Sequence, residues 1–115
     1  MAIVIDAEKR LFTLHTKRTT YQMKADSLGT LLHLYYGERT DDSDKSYAIC
    51  MGGRGFSGNP YEMGRGNRAY SLDVLPQEYS CYGTGDYRIS ALKIQNADGS
   101  FAAALRYKGY EIWKG

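Results

Sequence analysis

The sequence of 115 residues has little cysteine and little histidine, with two of each. Cys50 and Cys81 lie far apart, without a CxxC pair or a nearby pair of histidines. This spacing predicts neither a zinc site nor a disulfide framework, so we expect two ordinary reduced thiols and no metal or other cofactor.

Long apolar runs are also missing. No run approaches the roughly 20 residues that span a bilayer. The first ten residues include Asp6, Glu8, Lys9 and Arg10, which is too much early charge for a secretory signal peptide. We therefore expect no membrane contact and a cytoplasmic location.

An excess of charge of either sign is absent as well. Fifteen Lys and Arg against 13 Asp and Glu give a net charge of +2, which is not the basic footprint of a nucleic-acid-binding domain. The length excludes a (β/α)₈ barrel, which needs roughly 200 residues or more, and predicts a single domain over residues 1–115.

Glycine and tyrosine are plentiful instead, with 13 and 11 residues, and they favour turns and strands. We expect strands over 2–5, 11–16, 19–23, 30–36 (as an inner strand), 46–51, 89–95, 101–107 and 110–113. Asp98-Gly99 marks the turn of a hairpin between 89–95 and 101–107. The expected class is an all-β antiparallel β-sandwich with an exposed acidic loop over 38–45, and its last strand leaves a sheet edge unfinished.

The segment from Gly52 to Ala69, called the Gly/Arg loop below, is the unusual part of the sequence. It carries six glycines, together with Arg54, Arg65 and Arg68. A long irregular loop in a small domain is usually functional or disordered. Its arginines could contact single-stranded RNA, with Phe56, Tyr61 and Tyr70 stacking on bases, or present guanidinium groups to sugar hydroxyls or to a partner's carboxylates. With so few basic residues, the RNA interpretation is the weaker.

Other candidate chemistry has a plainer interpretation. Gly64, Gly66 and Ala69 imitate a dinucleotide fingerprint, but no strand precedes them and no helix follows, so we reject cofactor binding there. The carboxylates of Asp73, Glu78 and Asp86 are expected to cap turns rather than to form an acid/base pair. The two histidines, His15 and His33, lack a neighbouring nucleophile and are expected to be structural or surface groups.

Several blocks of the sequence together resemble the N-terminal portion of bacterial α-galactosidases of glycoside hydrolase family 36. The blocks are Leu-His-Leu-Tyr-Tyr-Gly (32–37), Arg-Gly-Phe-Ser-Gly-Asn-Pro (54–60), Tyr-Ser-Leu-Asp-Val-Leu-Pro-Gln-Glu-Tyr (70–79), Gly-Thr-Gly-Asp-Tyr-Arg (83–88), Ile-Gln-Asn-Ala-Asp-Gly-Ser (94–100) and Arg-Tyr-Lys (106–108).

The resemblance implies that the chain is the first part of an N-terminal β-supersandwich. The family's catalytic aspartates lie in a barrel that this sequence lacks, so the chain alone should be inactive. The parent reaction would be retaining hydrolysis of terminal α-galactosides such as melibiose or raffinose. In tetrameric members, a loop of this domain enters a neighbouring active site and binds galactose.

By the same resemblance, Arg68 and Arg54 correspond to substrate-contacting positions of that loop. Gly53 stands where many members carry an aspartate that contacts the sugar. The expected partners are the rest of the enzyme, further copies of it, and a galactoside bound through a neighbouring subunit. An independent carbohydrate-binding β-module is the main alternative, and a single-stranded nucleic-acid binder is a weaker one.

Overall fold

A computed structural model describes residues 2–53, 59–63 and 67–114. Its regular structure is a single sheet of four antiparallel strands in the order β1-β2-β3-β4. The strands are β1 (Ala2–Asp6), β2 (Leu11–His15), β3 (Thr19–Ala25) and β4 (Leu31–Glu38). Two short 3-10 helices, Ser46–Ala48 and Tyr61–Met63, are the helical turns within the described ranges. The all-β antiparallel class predicted from the sequence is confirmed.

Each of the three turns is closed by a short polar side chain. Asp6 accepts from the backbone N–H of Lys9 at 3.0 Å, and Thr16 Oγ1 accepts from that of Thr19 at 2.9 Å. Between β3 and β4, Asp26 Oδ1 accepts from Thr30 N–H at 2.9 Å, and Gly29 takes a φ of +81° that an L side chain rarely adopts. These turns join consecutive strands, so the sheet is a simple meander.

Strand β4 lies at an end of the sheet, and its prediction as an inner strand is therefore wrong. The apolar character of both its faces has another cause. The outer edge of β4 is closed by an irregular segment, in which His33 N–H donates to the Pro76 carbonyl at 2.7 Å and Glu78 N–H donates to the Leu31 carbonyl at 2.9 Å. Leu32 is buried against Tyr70 and Leu75, and Leu34 is buried as well.

The acidic loop lies against one face of the sheet through its backbone. Gln22 is fully buried, and its amide donates to the Ser43 carbonyl at 3.0 Å while its oxygen accepts from Lys45 N–H at 3.0 Å. Lys24 pairs with Asp44 at 2.7 Å beside this contact. Buried polar side chains therefore hold the loop, and its other acidic side chains, including Asp41 and Asp42, remain exposed.

The apolar core is small. Leu32, Tyr70 and Leu75 form its buried centre, and Leu28, Ile49, Met63 and Leu72 pack around them. A second contact covers Phe12, whose ring lies 5.8 Å from that of Tyr107 and 5.6 Å from that of Tyr110. The segment after β4 thus packs on the sheet largely as irregular chain.

Four predicted strands are absent. Residues 46–51 form a 3-10 turn and irregular chain, and 110–113 form no strand. The turn of the predicted hairpin is present, with Asn96 N–H donating to the Ser100 carbonyl at 2.8 Å, but its arms 89–95 and 101–107 do not pair as strands. The arms bond elsewhere instead: Leu92 N–H donates to Ser80, Ala103 N–H to Tyr82 and Tyr107 N–H to Gly29. Distant partners therefore replace the local ladder.

Candidate functional site

The Gly/Arg loop lies between Ile49 and Tyr70, and both of these residues pack in the core. Of this loop, the structure describes 52–53, 59–63 and 67–69. Arg54, Phe56, Gly64, Arg65 and Gly66 lie outside the described residues, so the predictions that rest on them stay predictions. Arg68 and Gly53 are described, and both are exposed.

Tyr70 anchors the return of the loop. The residue is 5% exposed and belongs to the core around Leu32. Its hydroxyl donates to the Asp26 carboxylate and lies 3.0 Å from Thr30 Oγ1, so the β3–β4 turn holds it. Burial and the bond to Asp26 both raise the pKa of Tyr70 above its usual value, which keeps the hydroxyl protonated as a donor.

Arg68 lies in a tight turn made by Asn67. Asn67 Oδ1 accepts from the N–H groups of Ala69 and Tyr70, each at 3.2 Å, which is the pattern of an Asx turn. The backbone carbonyl of Asn67 accepts a hydrogen bond from the Asn59 amide at 3.0 Å. The backbone on either side of Arg68 is therefore held, while its side chain makes no hydrogen bond or ion pair with any residue that the structure describes.

Asn59 and Arg106 tie the remaining described part of the loop to the domain. The Asn59 amide also donates to the Tyr70 carbonyl at 2.6 Å. Arg106 donates to the Glu62 carboxylate at 2.9 Å and to the Leu28 carbonyl at 2.8 Å. The sequence assigned no role to either residue. Asparagines beside proline and glycine do indicate turns, but the contact with Arg106 spans 44 positions and has no local signal.

Gly53 stands at the start of the loop with free space around it. A Cβ added there would meet no atom within 4 Å, and the same holds for Gly52. Neither glycine has a positive φ. A side chain at this position, including the aspartate that the resemblance implies for relatives, would therefore fit without strain.

The two most specific sequence blocks, 70–79 and 83–88, form one polar clasp. The Arg88 guanidinium donates to the carbonyls of Leu72 and Leu75 at 2.9 and 2.8 Å, and it pairs with Asp86 at 2.8 Å. Gln77 bridges the same blocks by donating to Asp86 at 2.9 Å. The bond from Arg88 holds the pKa of Asp86 below its usual range, so this carboxylate is ionised and engaged.

The three carboxylates weighed as an acid/base pair, Asp73, Glu78 and Asp86, all have partners within the chain. Asp86 accepts from the backbone N–H of Arg88, two positions along the chain, at 3.0 Å, so turn capping is confirmed there. Asp73 instead accepts from the backbone N–H of Tyr87, 14 positions away, at 3.2 Å, and so links two segments rather than capping a turn. Glu78 also departs from this expectation, because its carboxylate lies 3.0 Å from His33 Nδ1, on the side chain of a distant strand residue.

Both histidines are structural groups, as predicted. His15 Nδ1 lies 2.9 Å from Thr20 Oγ1, and the two side chains are buried together. His33 makes the contact with Glu78 on the outer side of β4, and its ring stacks edge-on to Tyr21 at 5.3 Å. The Thr20 hydroxyl beside His15 is fully buried and donates to the Thr40 carbonyl at 3.2 Å, so it is not placed to attack a substrate.

Two other classes of site have little support among the described residues. Asp6, Asp41, Asp42 and Asp44 border a cleft between β1 and the acidic loop, yet the residues that the structure describes contain no group of three or more side chains able to hold a metal ion. The RNA interpretation loses Tyr70 as a stacking platform, because its ring is buried in the core.

In the described ranges, no helix has the length and apolarity needed to cross a bilayer.

Comparison with known proteins gives consistent matches. The model of the glycosyl hydrolase family 36 N-terminal domain matches residues 29–115. The bifunctional alpha-galactosidase/sucrose kinase AgaSK of Mediterraneibacter gnavus is 56% identical over 115 residues, which are 100% of this chain and 12% of that protein. Alpha-galactosidase 1 of Pediococcus pentosaceus is 38% identical, over 98% of this chain and 15% of its own length. The chain thus spans less than a sixth of these relatives.

Solved structures agree with these matches. The galactosidase domain of AgaSK superimposes with a TM-score of 0.89 at 56% identity, covering 96% of this chain and 15% of that one. A variant of the alpha-galactosidase AgaA from Geobacillus stearothermophilus, solved in complex with raffinose, gives a TM-score of 0.75 at 36% identity, over 86% of this chain and 13% of that one.

Proposed function

The chain belongs to the N-terminal domain family of glycosyl hydrolase family 36, and on this basis we propose that it is the non-catalytic β-domain at the start of an α-galactosidase. Residues 1–115 would be the first part of that domain. The whole enzyme would hydrolyse terminal α-galactosides of the melibiose and raffinose type with retention of configuration. The names of the matched relatives and the raffinose bound to one of them support this substrate class.

Catalysis would take place outside this chain. A retaining glycosidase needs two carboxyl groups about 5–5.5 Å apart across a sugar-binding cleft. Here Asp73, Glu78 and Asp86 are engaged with the chain's own backbone and side chains. The domain would therefore need the rest of the enzyme to be active, and it would use no cofactor of its own.

The observation that carries a binding role is the state of Arg68. Its backbone is held by Asn67 and Tyr70, and its guanidinium is exposed without a partner in the described structure. A guanidinium presents a planar fork of N–H donors, which suits sugar hydroxyls as acceptors. We expect Arg68 to hydrogen-bond galactoside hydroxyls in the active site of a neighbouring subunit, with Arg54 and the Gly53 position beside it.

A role in assembly follows from the same arrangement. A loop that completes a neighbouring site requires a homo-oligomer, and a tetramer is the form expected for the full-length enzyme. Exposed apolar side chains, among them Ile89 at 98% and Trp113 at 84% exposure, offer surface to the rest of the enzyme. A cytoplasmic location is part of the proposal, and the free thiols of Cys50 and Cys81 suit a reducing compartment.

Replacement of Arg68 by alanine in the full-length enzyme tests the role of the loop. We expect kcat/KM for raffinose to fall about tenfold or more, because a hydrogen bond to a charged donor is worth about 1.5–3 kcal/mol. Arg18→Ala is the matched control, since Arg18 is an exposed arginine of the β2–β3 turn. Equal kcat and KM in the R68A variant and the R18A variant would remove Arg68 from the binding site.

A further inference from the structure

The amide of Asn59 closes the described part of the Gly/Arg loop. One Nδ2 group donates to two carbonyls, that of Asn67 at 3.0 Å and that of Tyr70 at 2.6 Å. Both N–H bonds of the amide are therefore used. The two acceptors lie on either side of Arg68, one before it and one after it.

These two hydrogen bonds of Asn59 connect the loop to the core of the domain. Tyr70 is a core residue, and its hydroxyl is fixed by Asp26 and Thr30. Asn59 is joined to that anchor and to the Asx turn at Asn67, so hydrogen bonds connect the described residues 59–63 with residues 67–70. Arg106 holds the same segment at Glu62.

This connection matters because a binding group on a flexible loop loses conformational entropy when it binds its ligand. If folding already holds the backbone at Arg68 in one orientation, that entropy is not lost again on binding, and the affinity for the ligand is higher. The Asx turn alone makes two bonds of 3.2 Å to the N–H groups that follow Arg68, and it leaves the carbonyl of Asn67 to be held by Asn59.

We propose that Asn59 is a positioning residue for galactoside binding, which acts by holding the backbone at Arg68 in the orientation that presents its guanidinium to the sugar. This inference rests on the proposed function of Arg68. Asn59 itself touches no substrate in this scheme, because both of its N–H groups are directed at the chain's own carbonyls.

The test is Asn59→Leu in the full-length enzyme. Leucine has a similar size, lacks both donors, and avoids a new carboxylate beside Arg68. Asn96→Leu is the matched control, because the Asn96 amide also donates twice, to Ser100 Oγ at 2.9 Å and to the Ala102 carbonyl at 2.8 Å, in an exposed turn. If the N59L variant fails to fold, Asn59→Ser, which shortens the side chain and removes the amide, replaces it.

Raffinose kinetics decide the outcome for variants whose thermal midpoints equal that of the wild type. We expect N59L to raise KM about three- to tenfold with kcat close to that of the wild type, and N96L to leave both unchanged. In the R68A background, N59L should add nothing further to KM, since it acts through Arg68.

Three results would overturn the proposal. If R68A raises KM but N59L behaves as N96L does, Asn59 has no positioning role and the proposed function of Arg68 stands. An N59L effect of equal size with and without Arg68 would show that Asn59 acts independently of that residue. If R68A itself has no effect, the proposed function fails, and the positioning role fails with it.

Discussion

Arg68 and Tyr70 lie two positions apart and have opposite environments. Tyr70 is 5% exposed with its hydroxyl and backbone all bonded, whereas Arg68 is exposed with its guanidinium unbonded in the described structure. Tyr70 fixes the end of the loop to the core. Arg68 presents the five N–H donors of its guanidinium to groups outside the domain. This contrast supports the binding role proposed for Arg68.

Gly53→Asp provides a test of the start of the loop. The Cβ would have free space, so we expect an unchanged thermal midpoint. A carboxylate there would accept hydrogen bonds from sugar hydroxyls, and we expect KM for raffinose in the full-length enzyme to fall about three- to tenfold. Gly52→Asp is the control, because its surroundings are equally open. Equal effects of the two substitutions would show a general charge effect and not a contact at position 53.

Among the elements, the contact of the acidic loop with β3 is largely polar. Gln22, fully buried, bonds to the loop backbone on both sides of its amide, and Lys24 pairs with Asp44 nearby. Asp44 also accepts from the N–H and the hydroxyl of Ser46, at 2.9 and 2.6 Å. Such a contact depends on satisfied hydrogen bonds rather than on apolar area, which makes it sensitive to protonation.

Asp44 should give this contact a pH dependence. Burial raises the pKa of its carboxyl, but the bonds from Lys24 and Ser46 outweigh burial and lower the pKa to about 2. The value in the unfolded chain is about 3.9, so the unfolded state binds the proton more readily. The stabilisation is therefore complete above pH 4 and is lost as the pH falls from about 4 to about 2.

The variant Asp44→Asn should be less stable than the wild type by about 1–2 kcal/mol at pH 6, as measured by urea unfolding, and the difference should shrink below pH 4. Asp42→Asn is the control, because the Asp42 side chain is exposed and only its carbonyl contacts the sheet. A difference between D44N and the wild type that stays constant from pH 6 to pH 3 would contradict the assignment.

The clasp around Arg88 explains why the two most specific sequence blocks contain so many polar residues. Arg88 and Gln77 satisfy carbonyls and carboxylates of an irregular segment that has no ladder to do so. Buried backbone groups outside regular structure need such partners. In this chain these blocks are a structural unit that closes the outer edge of β4.

For the whole molecule, the exposed apolar surface is the main physical feature. Large apolar side chains of the second half are strongly exposed, and they include Tyr82, Tyr87, Ile89, Leu105, Ile112 and Trp113. A small core and a large apolar surface are not favourable for a domain on its own. The proposed parent enzyme would cover this surface.

The isolated chain should therefore bind a hydrophobic dye and associate with itself. We expect a stronger ANS fluorescence per mole than for the full-length enzyme, and an elution volume in gel filtration that decreases with concentration. The double variant Ile112→Gln, Trp113→Gln should reduce both effects, because these side chains are 64% and 84% exposed. A monomeric chain with no ANS response would contradict the assignment of this surface to a partner.

The sequence alone determined the local features and the family. Alternating strand formers and Asp, Thr and Gly turns predicted the four strands of the meander, and the capping role of Asp86 followed from turn chemistry. The motif blocks gave the resemblance to family 36, which the family match confirms. Each of these properties depends on neighbours close in the sequence or on residue identity alone.

Tertiary structure decided the rest. The arms beside Asp98-Gly99 form no ladder, because Leu92, Ala103 and Tyr107 bond to distant carbonyls, and β4 is closed by residues 76–78 rather than by a strand. The hydrogen bonds of the Asn59 amide on either side of Arg68 and the bond from Arg106 to Glu62 are likewise contacts between separated segments. Such contacts depend on which groups the folded chain brings together and leaves unsatisfied, and no local pattern of residues encodes that.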